Sequence, residues 1–255
     1  MAGSSFPTNL TSQTRILYKV SSTSKPRWVN KLADENLVDV RFEDALPARE
    51  YPAWKGKRHF EGAWWTTTNR ASVGFESFLE RSWVVAADFD PAVTKVAAQP
   101  FALLWPHGTP GQRDHVPDYF ARLSDGRGRV VDVRHAGRVS DRSQAQFDLT
   151  RAACDEVGWQ YEVWTGLPEP RSSNLRWLAG YRMDRFEPSP DVRAALETAF
   201  EHGLPLQVGV RRAVEATGAS KEVVLAGVYH LLWHKVLSVD LDSPVSFDSK
   251  VVSSS

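Results

Sequence analysis

The sequence predicts an α/β protein: a mixed sheet flanked by helices, followed by a small, α-rich, winged-helix-like domain. Three observations predict it. Between residues 71 and 182 the pattern runs helix, strand, strand, strand, helix, strand. From residue 191 onward, three helical patterns precede a β-hairpin pattern. The chain has 255 residues, 42% of them hydrophobic and ten of them Trp, enough apolar surface for one good core or two modest ones.

Residues 1–45 read as a loosely held arm, Ser/Thr-rich and with at most one short helix or strand. The α/β domain is expected over 46–183. It opens with Pro47 and Pro52, the basic cluster Lys55, Lys57, Arg58 and His59, and the pair Trp64–Trp65. A helix is expected over 72–87, capped by Ser72, with Phe75, Phe78, Leu79 and Ala86 as its apolar stripe. It should end before Pro91, because the residue before a proline resists the helical region. Segments 94–104, 115–123 and 129–134 are short, apolar or alternating, with turn signals between them, and read as strands. A second helix fits 143–157, with Ser143 as cap and Gly158 as stop, followed by a strand at 160–164. Residues 184–190 read as a linker, and 191–255 as the C-terminal domain. Its helical patterns lie near 191–202, 206–216 and 220–234, and a hairpin is expected around Asp242–Ser243.

Composition narrows the function. Lys plus Arg equal Asp plus Glu at 31 each, which argues against a sequence-blind nucleic-acid coat. Charge is uneven: roughly +4 over 1–70, about −1 over 71–183 and about −3 over 184–255. The single cysteine, Cys154, excludes an internal disulfide framework and fits a reducing compartment. No apolar run approaches the ~20 residues of a membrane helix, and the polar N-terminus is no secretory signal. A cytoplasmic protein is expected. GxxxxGK, GxGxxG and GxSxG motifs are absent, removing ATPase, nucleotide-dehydrogenase and serine-hydrolase readings.

The chemistry concentrates at Pro117-Asp118 and Val131-Asp132-Val133-Arg134, joined by the turn-forming SDGRG. A two-residue loop would send Asp132 to the face opposite Asp118. A three-residue loop at 125–127 would set Asp118 across from Arg134, with Asp132 on their face. The apolar partners Tyr119, Ala121 and Leu123 favour the longer loop. Two carboxylates on one face make a hard, anionic oxygen site of the kind Mg²⁺ favours. The helix adds Glu76 and Glu80, which share one stripe at i and i+4.

The wider text carries a resemblance. GFESFLERSWVVAADFDPAVTKVAAQPF (74–101), RDHVPDYF (113–120), VVDVR (130–134), GWQYEVW (158–164) and NLRWLAGYR (174–182) resemble the TnsA-type endonuclease subunits of heteromeric transposases. The resemblance spans about residues 50–182. It extends to the restriction-endonuclease-like superfamily, whose Pro-Asp…Asp/Glu-x-Lys signature is similar to Pro117-Asp118…Asp132-Val133-Arg134. It implies a restriction-endonuclease-like mixed sheet and a metal-dependent endodeoxyribonuclease that cuts one strand at transposon ends. It implies Mg²⁺, with Mn²⁺ able to substitute, and as partners an integrase-fold transposase subunit and an ATPase regulator. Carried over, the metal-holding carboxylates fall on Glu80, Asp118 and Asp132, with Glu76 as second choice for the helix position. The family's lysine position is Arg134 here. Arginine stays protonated, so it can steer water or offset charge on the phosphate but cannot take a proton.

Lys55, Lys57 and Arg58 read as phosphate contacts, His115 as a phosphate contact or a strand-end histidine with no metal role, and Trp64–Trp65 as a stacking pair or core residues. Gln99, before Pro100, reads as a support of the active-site edge or a buried backbone-bonding residue. His230 and His234 sit at i and i+4 without a third zinc ligand, and read as helix packing with a polar edge. Cys154 reads as a small core residue.

Overall fold

The computed structural model describes residues 13–22, 25–49, 61–109, 114–138 and 140–254. The basic cluster Lys55, Lys57 and Arg58 lies outside them. The fold is mixed α/β, with several sheets and six α-helices among the described residues. It divides into two units, Met1–Thr165 and Gly166–Ser255. The break therefore falls upstream of the 184–190 linker expected from the sequence.

The first unit contains β1 (Arg15–Val20), β2 (Arg27–Leu32), β3 (Gly62–Thr66), β4 (Ala71–Phe75), α1 (Phe78–Phe89), β5 (Val93–Ala98), β6 (Ala102–Leu104), β7 (Asp114–His115), β8 (Tyr119–Leu123), β9 (Gly128–Val133), α2 (Asp141–Val157) and β10 (Gln160–Trp164). One sheet has the order β10-β9-β8-β5, a second β2-β1-β6-β7, and β3 pairs with β4 alone. In the first sheet β10 runs parallel to β9, while β8 runs antiparallel to both β9 and β5. α2 makes the crossover that a parallel β9–β10 pair requires.

The β8–β9 hairpin sets the register of the candidate site. Tyr119 pairs with Val131 and Phe120 with Val130. Leu123 N–H donates to Arg127 O at 2.8 Å, and Gly126 adopts φ +87. The three-residue loop is thus 124–126, one position earlier than expected, because Gly126 supplies the left-handed residue that closes it. One step beyond Tyr119 and Val131, the same register sets Asp118 beside Asp132 rather than beside Arg134. Side-chain direction alternates, so a shift of two partners leaves all three on the expected face.

Each face of the hairpin has its own cover. Phe120 and Val130 join a core with Ala153, Cys154 and Val157 of α2, Trp159, and Phe42 and Phe101. Rings of Phe42, Phe101 and Trp159 sit 5.0–5.5 Å apart. On the opposite face Tyr119 stacks on Trp83 of α1 at 4.3 Å. Cys154 is buried, as a small core residue would be.

Three expectations are corrected. Residues 15–42 are no loose arm: Ile16, Leu17, Leu37 and Phe42 are buried, and β1 pairs with β6. That partner lies far along the chain, so local periodicity could not show it. The first helix begins at Phe78, not Ser72. Residues 71–75 form β4, in which Val73 and Phe75 alternate inward, and Ser77 is the cap, accepting from Glu80 N–H. The second helix likewise starts two residues early, at Asp141, with Ser140 as its cap instead of Ser143, and ends as expected on Gly158 at φ +85.

The second unit contains α3 (Arg171–Leu178), α4 (Pro190–Phe200), β11 (Leu204–Pro205), α5 (Leu206–Thr217), α6 (Lys221–Trp233), β12 (Leu237–Val239) and β13 (Lys250–Ser253). The three helical patterns after residue 190 hold to within a residue or two. The hairpin does not: β12 pairs with β13 at 250–253, and β11 completes the sheet on the other edge. The 240–249 stretch between them is a long connection, held in part by Asn174, whose amide donates to Leu241 O and Ser243 O at 2.8 Å. His230 Nδ1 lies 2.9 Å from Tyr181 O, and His234 Nε2 lies 3.1 Å from Arg182 O. Both rings therefore serve helix packing.

Candidate active site

Asp118 ends the Pro117-Asp118 turn immediately before β8, so its side chain projects at the end of the strand. Its Oδ2 accepts Val133 N–H at 2.7 Å and Arg134 Nη1–H at 3.2 Å. Burial pushes its carboxyl up to about 7, and the neighbouring charges of Asp132 and Glu80 push the same way, against Arg134 and the Val133 amide. Negative groups crowded in this way are relieved by either a proton or a cation.

Asp132 lies deeper. Its side chain has no exposed surface, whereas Asp118 keeps 15% and Arg134 38%. His115 Nε2 lies 2.9 Å from both carboxylate oxygens, and Tyr161 O–H donates to Oδ2 at 2.6 Å. Burial alone would raise this carboxyl, but the His115 and Tyr161 hydrogen bonds and the charges of His115 and Arg134 outweigh it and hold it below the ordinary value. Burial and the Asp132 charge in turn push the Tyr161 hydroxyl up. Asp132 thus faces Asp118 as a fixed negative charge, its own oxygens already engaged. Arg134 donates to Val133 O at 2.8 Å and lies 6.0 Å over the Phe147 ring, which fixes its guanidinium beside Asp118.

Of the two carboxylates expected to share one helix stripe, only Glu80 lies on α1; Glu76 precedes the Ser77 cap, and the two have separate tasks. Glu80 accepts Glu76 N–H at 2.7 Å and Ser77 O–H at 2.9 Å, so its carboxylate folds back over the start of α1. Glu76 takes a two-pronged ion pair from Arg49 at 2.8 and 2.9 Å and a hydrogen bond from Gln99 Nε2 at 3.0 Å. Glu80 is the helix carboxylate whose charge acts on Asp118. Among the described residues no group of three or more His, Cys, Asp or Glu side chains is gathered to hold a metal ion.

The donor chemistry nevertheless fits a magnesium-like cation. Such an ion commonly takes one or two carboxylates and completes its octahedron with water and substrate phosphate, without an all-protein cage. Asp118 and Glu80 are hard oxygen donors in that style, and Asp118 is the more crowded of the two.

Sequence reasoning missed Tyr161 and Arg49. Of the two readings of His115, a phosphate contact or a strand-end histidine, the structure matches the second: it ends β7 and is buried, with Nε2 turned to Asp132. The alternation of QYEVW on the strand beside β9 was a signal for Tyr161, since it pairs with Val130, two residues from Asp132. Arg49 carried none, because its partner lies 27 residues away.

Among the described residues no helix is long and apolar enough to cross a membrane. Comparison with known proteins finds neither a family model nor a curated protein that matches this chain.

Proposed function

We propose that the chain is a Mg²⁺-dependent DNA endonuclease, the subunit of a heteromeric cut-and-paste transposase that hydrolyses one strand at each transposon end. The observation that carries this reading is Asp118: a largely enclosed carboxyl, crowded by Asp132 and Glu80 and paired with Arg134, at the Pro-Asp turn of a core whose elements follow the order α1, β5, β8, β9, α2, β10, with β6 and β7 going to the other sheet. That core order, with β10 parallel to β9, supports a restriction-endonuclease-like fold. In the second unit the order α4, β11, α5, α6, β12, β13 supports a winged-helix-like domain.

Asp118 and Glu80 would hold the cation, which when bound polarises the phosphodiester and lowers the pKa of water. The residues of this chain do the rest. Val133 N–H and Arg134 fix the Asp118 carboxylate, and Asp132, held by His115 and Tyr161, keeps the field at that corner negative. Arg134, being always protonated, offsets charge developing on the pentacoordinate phosphorus as the P–O bond to the departing oxygen breaks. Partners in this reading are the transposon-end DNA, an integrase-fold transposase and an ATPase regulator. The slight negative excess after residue 184 favours protein docking by the second unit.

The test is supercoiled transposon-end DNA incubated with the partner transposase and Mg²⁺ or Mn²⁺. Asp118→Ala should remove strand-specific nicking while the fold persists; unchanged nicking rejects the site. A second reading, a catalytically silent subunit bridging transposase and ATPase, is favoured by one fact: Asp132 and Glu80 both spend oxygens on structural hydrogen bonds. It predicts that no metal supports cutting by the wild type. A stand-alone restriction or repair nuclease would instead cut without the partner.

A further inference from the structure

Gln99 sits between β5 and β6 in a backbone conformation that a non-glycine residue rarely adopts, φ +48. Such a conformation costs on the order of 1 kcal/mol or more and persists where surrounding structure imposes it. Here every polar group of the residue but one is engaged. The Gln99 main-chain N–H donates to Asp118 O at 2.9 Å, and its C=O accepts from Ala48 N–H at 2.8 Å. The side-chain Nε2 donates to Glu76 Oε1 at 3.0 Å, within the Glu76–Arg49 ion pair. The remaining group, Oε1, is buried without a hydrogen-bond partner in a side chain only 3% exposed.

A buried, unpartnered amide oxygen is costly, and in native proteins such a group usually marks a missing water, ion or functional contact. Its place is informative. The same residue grips the main chain of Asp118 and the carboxylate that precedes α1, the two elements from which the cation-holding oxygens come. An amide oxygen is also a hard acceptor, suited to a cation or to the hydrogens of the water around one.

We propose that Gln99 is a further residue of this site: its amide N–H anchors the segment leading into α1, and its Oε1 receives a hydrogen bond from a water of the divalent cation. The inference rests on the metal-dependent nuclease reading and adds an acceptor that the Glu80, Asp118, Asp132 and Arg134 set does not contain. The strained backbone is explained in the same terms, since the left-handed turn lets one residue hold Asp118 by its main chain and Glu76 by its side chain.

The experiment uses the full-length chain and Mn²⁺ alone as probe, titrated calorimetrically without DNA, followed by strand-specific nicking with the partner transposase. Gln99→Met keeps the length of the side chain and removes both amide groups. Gln99→Asn keeps the amide, tolerates the left-handed backbone better, and falls one methylene short, so it guards against a folding failure of the first variant. Both should weaken Mn²⁺ binding and lower kcat by about tenfold or more, with the DNA KM unchanged, as loss of a contact outside the direct ligands does. Wild-type Mn²⁺ affinity and kcat in either folded variant would overturn the inference. Asp118→Ala separates the two claims. If it abolishes binding and nicking while the Gln99 variants behave as wild type, only the role of Gln99 falls. If Asp118→Ala also binds and nicks normally, the nuclease reading falls with it.

Discussion

His115 Nε2 lies equidistant, at 2.9 Å, from the two carboxylate oxygens of Asp132, which has no exposed surface of its own. This contact joins β7 of one sheet to β9 of the other, so a single buried hydrogen-bonded pair spans both layers of the first unit. Removing the imidazole leaves a buried carboxylate short of a donor. His115→Ala should therefore cost about 3 kcal/mol of stability, read as a lower midpoint in urea. Tyr161→Phe should cost less, about 2 kcal/mol, because one hydrogen bond to a charged group is lost while His115 remains.

The two aspartates should give the pH profile of stability opposite slopes. Asp118 is raised from its ordinary 3.8 to about 7, so the folded chain binds that proton more tightly than the unfolded one. Its contribution is full below about pH 4 and is lost as pH rises to about 7. Asp132 is lowered, so its contribution is present above its ordinary value and is lost in acid. Asp118→Asn should flatten the decline between pH 4 and 7. It should gain on the order of 2–4 kcal/mol over the wild type at pH 8 relative to pH 4. Denaturant titrations at the two pH values check this in metal-free buffer.

The start of α1 offers a cleaner contrast. Ser77 accepts Glu80 N–H at 3.1 Å and donates to Glu80 Oε1, whereas Ser72 sits in β4 opposite Trp65. Ser77→Ala should lower stability by about 1 kcal/mol. Ser72→Ala, on an exposed strand position, should change it by less than about 0.5 kcal/mol. Equal effects in thermal unfolding would move the helix start back to where the sequence alone put it.

Arg134 separates a working site from a damaged one. Its guanidinium touches Asp118 Oδ2 and Val133 O, and a lysine carries the charge but not the fork. Arg134→Ala should reduce nicking by about 10²–10³-fold, and Arg134→Lys should fall between alanine and wild type. A gain of cutting in Arg134→Lys would show that arginine impairs this site.

Much of the architecture was legible because its signals are local. The strand at 160–164, Gly158 as helix stop and the shared face of Tyr119, Ala121, Val131 and Val133 all follow from short-range pattern. Asp118, Asp132 and Arg134 shared a face by parity alone, so an error of one residue in loop placement did not separate them. What was hidden is what depends on distant partners. Ile16 and Leu17 become core residues only through β6, some 85 residues on. The helix start was placed too early because the helical stripe of Phe75, Phe78 and Leu79 overlaps a strand's alternation of Val73 and Phe75. Nothing near Asp132 in sequence announced that His115 and Tyr161 would hydrogen-bond its carboxylate.

The central claim is that Asp118 belongs to a cation-dependent strand-cutting site. Mapping breaks at single-nucleotide resolution on both strands of a transposon end tests it most directly, comparing wild type and Asp118→Ala with Mn²⁺ and with chelator. One cut position on one strand is the expected result, present in wild type with Mn²⁺ and missing in the other three conditions. The same cut in Asp118→Ala, or in chelator, would contradict it.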